Sequence, residues 1–178
     1  MLRRNLSTLC LGAFLLLAPQ ARAELADSEK PMLVEAGRGG LADKAGRAVL
    51  EGGVKMTQGT LSVDADQAVI QKQADGEQTV HAEGRPVKFR QRMEGQQGWL
   101  DARAAKLDYD SGSGNVKLVG NAWLKHGEDE ISGSVITYNT HTEIYSAEGG
   151  PATANGETGR IKMIIQPKKK PAESPAKP

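Results

Sequence analysis

"AVLEGGVKMTQGTLSVDADQAVI", residues 48 to 70, and "VKLVGNAWLKHGEDEISGSVITY", residues 116 to 138, are built alike. Each runs from a short apolar strand into a glycine, through a second strand and a polar turn, into a third strand ending in small and branched apolar residues. In and around them, apolar and polar residues alternate with period two, as in strands with one buried face. In "RPVKFRQR", Val87 and Phe89 share one face, and Lys88, Arg90 and Arg92 the other. In "NVKLVGNAWLKHG", Val116, Leu118, Ala122 and Leu124 share a face, opposite Lys117, Asn121 and Lys125. No long stretch carries an apolar period of 3.6 residues, and Pro31 breaks the best helix candidate, "ADSEKPMLVEAG". The chain reads as all-β.

Gly52, Gly84, Gly120 and Gly149 close the short strands "AVLEG", "VHAEG", "VKLVG" and "YSAEG", at separations of 32, 36 and 29 residues. This predicts a multi-strand unit repeated and stacked on itself. An interior glycine marks a bulge or bend that lets neighbouring strands curve together. Beyond the leader the aromatics are few: Phe89, Trp99, Tyr109, Trp123, Tyr138 and Tyr145. Inward faces are therefore filled by Val, Leu, Ile, Met and Ala. Two sheets about 10 Å apart with such slim side chains close into a dry sandwich, or stay parted around a slender apolar guest. Both readings stand at this level.

The first residues are set apart from the fold. Arg3 and Arg4, an apolar run from Leu9 to Ala18, and Ala21-Arg22-Ala23 make a cleavable secretory signal over residues 1–23, too short to span a bilayer. Cys10 lies in that run without the small residues that precede a lipidated cysteine. Cleavage leaves 155 of 178 residues, enough for one domain with its own core over residues 24–166. It also removes the only cysteine, so neither disulfide nor thiol chemistry is expected. The remaining chain carries 20 basic and 22 acidic residues, near −5 in the body and +3 in the Pro- and Lys-rich tail, 167–178. That tail reads as a disordered, solubilising end. A near-neutral chain with few aromatics and one terminal basic cluster is a poor nucleic-acid binder, and no nucleic-acid partner is expected.

Catalytic signatures are missing. There is no P-loop, nucleophile elbow, HExxH or CxxC. His81, His126 and His141 are far apart in sequence; the last two could face each other across a hairpin, but no carboxylate set accompanies them. "HGEDE" reads as a solvated hairpin tip rather than a calcium loop. Asp64, Asp66, Asp101 and Asp108 recur with the repeat, which favours a structural role at strand ends over paired carboxylates for glycoside chemistry. Neither catalytic residues, cofactor nor metal is expected.

"TQGTLSVDADQAVI" (57–70), "GRPVKFRQ" (84–91), "LVGNAWL" (118–124) and "ISGSVITYN" (131–139) resemble, in order and spacing, the OstA-like family of periplasmic lipopolysaccharide-transport proteins. The resemblance covers about residues 30 to 165. It implies an open β-jellyroll of antiparallel strands, folded like a twisted V, with an apolar groove open at both ends for lipid A acyl chains. Such domains join head to tail between an inner-membrane partner, LptC, and an outer-membrane translocon, LptD. Matched to the family, Met32, Val34, Phe89 and Tyr109 take inward, lipid-facing positions; Leu107, Leu118, Leu124 and Ile136 are added on face parity. Plain core packing is as good a reading for each of them. Trp123, opposite Leu124, is left out, and Ser111 departs from a more apolar family position. The joining edges would be "PMLVEA" (31–36) and "GRIKMIIQ" (159–166), with Pro167 and the tail limiting growth. A structural β-repeat module without lipid cargo is the alternative.

Overall fold

The computed structural model describes residues 27, 30–93, 98–150 and 159–166. The segments 1–23 and 167–178 lie outside them. The strands are β1 (Leu33–Glu35), β2 (Arg38–Ala42), β3 (Arg47–Gln58), β4 (Leu61–Lys72), β5 (Gln78–Arg92), β6 (Trp99–Asp110), β7 (Asn115–His126), β8 (Asp129–Asn139), β9 (Ile144–Glu148) and β10 (Lys162–Ile164). They form one 10-stranded sheet in the order β1-β3-β4-β5-β6-β7-β8-β10, with β2 also on β3 and β9 also on β8. Every pairing is antiparallel.

The sheet folds over on itself at one level. The pairings of β3 through β8 all change register there: at Glu51/Val54, Asp64/Gln67, Glu83/Val87, Arg103/Lys106 and Val119/Ala122. Extra residues on one strand bend it and sharpen its twist. A row of such irregularities makes a corner. On one side lies an upper half, with β2 and β9 at its edges; on the other a lower half, with β1 and β10. The stretches 48–70 and 116–138 are thus hairpins of two bent strands, β3–β4 and β7–β8. What reads in sequence as separate strands around a glycine is a single strand turning the corner.

The glycines are there for geometric reasons. Gly52 and Gly53 adopt φ of +83° and +78°, and Gly120 +83°, a region that L side chains avoid. A Cβ on Gly37 would lie 2.7 Å from the Gly52 carbonyl oxygen, and one on Gly133 2.6 Å from that of Glu148. Gly149 follows β9, where the chain leaves the upper half.

Inward residues from both halves form one continuous core. Several strands change face parity as they turn: Val63 and Ala65 give way to Ala68 and Ile70 in β4, and Ala102 and Ala104 to Leu107 in β6. Without that switch, half of each strand would turn its apolar side to water. Burying a Leu, Val or Phe side chain stabilises the fold by about 1.5–3 kcal/mol.

Candidate functional site

The chemistry-bearing residues lie outside the fold's interior. Asp64 and Asp66 sit within β4, and Asp101 and Asp108 within β6, not at strand ends as the repeat suggested. Asp66 pairs with Arg85 at 3.3 Å, Asp101 with Arg90 at 3.5 Å, and Asp108 with His81. These are cross-strand partners on an outer face, the ordinary currency of sheet stability. Lys106, then Gln67 and His81, hold the Glu83 carboxyl down to about 2. Being exposed, this network is screened by salt. His126 and His141 lie beyond opposite ends of β8 and do not face each other. Among the described residues no group of His, Cys, Asp and Glu could hold a metal ion. Both tryptophans face outward beneath stacked guanidinium groups, Arg90 4.3 Å from Trp99 and Arg103 4.4 Å from Trp123.

What the two halves enclose is one closely packed apolar core. All the sequence-predicted lipid-facing residues gather there. Leu107, Leu118 and Ile136 come from the upper half and are 0% exposed; Phe89 and Leu124 come from the lower half and are 2% exposed. Met32, Val34 and Tyr109 are half-buried and pack on this core near its margins. The four residues placed on face parity, Leu107, Leu118, Leu124 and Ile136, are all inward, because each was judged within one arm of a bent strand. Sequence reasoning missed Val54, Met56, Met93 and Tyr138, which are buried in the same core. Tyr138 stands two residues after Ile136, so its inward aim was available from the same alternation.

It also missed the fastening of the N-terminal edge. Asp27 is buried and accepts hydrogen bonds from the Thr60 amide at 2.8 Å and from the Thr60 hydroxyl. Lys30 Nζ reaches the same carboxylate at 2.8 Å, and Gln58 Nε2 donates to the Lys30 carbonyl at 2.9 Å. Burial pushes the Asp27 pKa up, but the bonds from Lys30 and Thr60 outweigh it and hold the carboxyl below its ordinary value. A depressed carboxyl stabilises above the unfolded pKa and loses that contribution as pH falls through the folded value. Asp27→Ala is therefore expected to free β1 at neutral pH, seen as faster amide exchange at Leu33–Glu35. The difference from wild type should shrink as the pH is lowered below about 4.

The fold and its interior define a class: an antiparallel β-jellyroll with an apolar core and, among the described residues, open sheet edges. Residues 33–144 match the family model described as LptA/(LptD N-terminal domain) LPS transport protein. The chain belongs to this family. It is 30% identical over 148 residues to the lipopolysaccharide export system protein LptH of Pseudomonas aeruginosa, spanning 81% of this chain and 83% of that one. It is 25% identical over 177 residues to LptA of Escherichia coli K12, spanning 97% and 93%. LptA of Haemophilus influenzae is 34% identical over 117 residues, 64% of each chain. The crystal structure of Pseudomonas LptH, a periplasmic component of the lipopolysaccharide transport device, superposes with a TM-score of 0.70 at 27% identity, covering 79% of this chain and 99% of that one. This chain is accordingly a periplasmic lipopolysaccharide-export protein and not an enzyme.

Proposed function

We propose that the lumen carries the acyl chains of lipopolysaccharide, and that the sheet edges join such domains into a bridge between the two membranes. One observation carries the reading: a single apolar core runs from β1 to the C-terminal strands, between two sheet edges that no other described strand covers. Each fully buried methylene contributes about 0.8 kcal/mol, so a chain of roughly a dozen carbons gains nearly 10 kcal/mol from full burial. Neighbouring domains with alike interiors would offer similar burial at each step, which keeps transfer between them nearly level in free energy. The chain's own sequence holds no nucleotide motif, so the work of transport comes from elsewhere.

Joining would proceed by strand addition, β1 of one copy or partner against β10 of another. Both edges expose apolar side chains: Leu33 and Leu41 at one, Met163 and Ile165 at the other. Partners of this kind are the β-domains of LptC and LptD. Residues 24–166 form the working domain in this reading, following a cleaved leader and preceding a solvated basic tail.

The tightly closed interior also suits the alternative, a packing module without cargo. Photo-crosslinking separates the two. A photoreactive residue at Phe89, inside the lumen, is expected to give a lipopolysaccharide adduct in living cells, whereas one at its outward neighbour Lys88 gives none. Intact folding with adducts at neither position would sink the carrier reading.

A further inference from the structure

The outer faces of the two halves differ in charge. On the lower half, one row of register partners sets Lys55, Lys88, Arg103 and Lys162 in line across the sheet, with Glu35 and Asp64 among them. The next row holds Arg90, Asp101, Lys125 and Glu130, which neutralise one another: Arg90 lies 3.5 Å from Asp101 and Lys125 3.2 Å from Glu130. Arg92 follows, opposite Trp99. Seven cations thus face outward against four acids, a net +3, on a body that is near −5 as a whole. On the upper half the outward strand positions hold four cations and five acids, a net −1 with His81 neutral. Acids there are engaged: Glu51 by Arg38 and Glu83 by Lys106, each at 2.6 Å, and Asp108 by His81.

The surplus on the lower face is left open to solvent. Among the described residues, no carboxylate forms an ion pair with Lys55, Lys88, Arg92, Arg103 or Lys162. Both tryptophans of the chain lie on this face, Trp99 beneath Arg90 and Trp123 beneath Arg103. A stacked guanidinium still presents its fork of donors to a phosphate, and indole rings favour the level where a bilayer meets water. The chain also continues from this half. Gln166 N donates to Asp129 Oδ1 at 2.9 Å, and Lys168, Lys169, Lys170 and Lys177 follow in sequence against Glu173 alone. Cations spread over a sheet surface make a flat array rather than a pocket, which fits a flat partner bearing many separate negative charges. The upper face of a second copy is a poor complement, being nearly neutral with its main acids already paired.

We propose that the outer face of the lower half is a docking surface for the phosphates of an anionic lipid bilayer. Lys55, Lys88, Arg92 and Arg103 meet the head groups, Trp99 settles at the interface, and the lysine-rich tail adds to the attraction beside them. The face lies on the flank of the sheet, so a copy docked there keeps its core closed and both edges free along the membrane plane.

The test uses residues 24–178 and vesicles without lipopolysaccharide, either phosphatidylcholine alone or equal parts phosphatidylcholine and phosphatidylglycerol with the same acyl chains. Co-sedimentation reads affinity, and tryptophan emission reads which face is in contact, since Trp99 and Trp123 are the chain's only indoles. Binding at least tenfold tighter to the anionic vesicles, with a blue shift and with loss at high salt, is the expected result. K55Q with K88Q, both exposed and off the edges, should weaken it at least tenfold without loss of fold. R47Q with K117Q removes the same charge from the upper face and should change it less than twofold. Equal binding to both vesicles, or equal loss in the two pairs, would overturn the proposal. So would anionic binding with unshifted emission that vanishes in a chain ending at Gln166, which would assign the contact to the tail alone. Self-association without vesicles that K55Q with K88Q abolishes would assign the face to a second copy and also overturn it. Since no lipopolysaccharide is present, none of these outcomes depends on the carrier reading.

Discussion

Leu118→Ala is expected to lower the free energy of unfolding by about 2–5 kcal/mol, and Phe89→Ala by about 3–5 kcal/mol, read from urea or thermal unfolding. Both side chains are sealed in the core, Leu118 at 0% and Phe89 at 2% exposure, and their neighbours are held by strand pairing on either side. Leu118 is paired with Leu107 and Ile136 across the sheet. Collapse into the vacated space would require the two halves to close further, and the corner resists that, so most of each cavity persists. In a domain of this size the loss corresponds to a fall in Tm on the order of 10 °C.

The same substitutions discriminate between the two readings of the core. A ligand that binds only the folded state stabilises by RT ln(1 + [L]/Kd), about 2.7 kcal/mol at a hundredfold excess over Kd. If acyl chains occupy the lumen, they fill part of the new space, and lipopolysaccharide should raise the Tm of Leu118→Ala at least as much as that of wild type. In a packing module without cargo, added lipopolysaccharide would leave both transitions where they were. Val49, exposed in the upper half of the same sheet, supplies the control: Val49→Ala should change neither stability nor response by more than about 0.5 kcal/mol.

Alternation made most of this fold legible. Each bent strand keeps period two within an arm, so the inward sets Val87–Phe89 and Val116–Leu118 were readable from a handful of residues. The corner was readable only as glycines. Its register shifts depend on how strands align across the sheet, and a single strand's sequence does not state its partner's register. For that reason 48–70 looked like three strands, when Gly52 and Gly53 lie inside one. The aspartates were misplaced for the same reason: recurrence showed that they belong to the architecture, whereas their position opposite Arg90, His81 and Arg85 follows from pairing. Asp27 carried no periodic signal at all. Its role comes from Thr60, 33 residues away, and long-range hydrogen bonds of this kind leave no local pattern. Tyr138 and Met93 lie on opposite halves, so their contact also had to come from the three-dimensional structure.

Proline substitution along β10 is expected to show which backbone groups join neighbouring domains. In an antiparallel edge strand, successive residues alternate between bonding the neighbour within the chain and pointing their N–H and C=O groups outward. Met163 and Ile164 stand opposite Ile131 and Glu130 of β8, so one of the two donates its N–H to β8 and the other offers it to an incoming strand. Proline removes the donor in each case. Of Met163→Pro and Ile164→Pro, one should therefore fold as stably as wild type, because an edge strand tolerates proline on its solvent side. That same variant should lose head-to-tail assembly. Its association, followed by sedimentation or light scattering, is expected to weaken at least tenfold, equivalent to about 1.4 kcal/mol or more. The other variant should lose stability as well, since it breaks a bond to β8. Full assembly by both variants would rule out β10 as the joining edge and leave β9, which flanks the upper half, as the C-terminal strand to scan next. Assembly lost only in the stable variant would separate two roles of one short strand: completing the sheet of its own chain, and offering that sheet to the next.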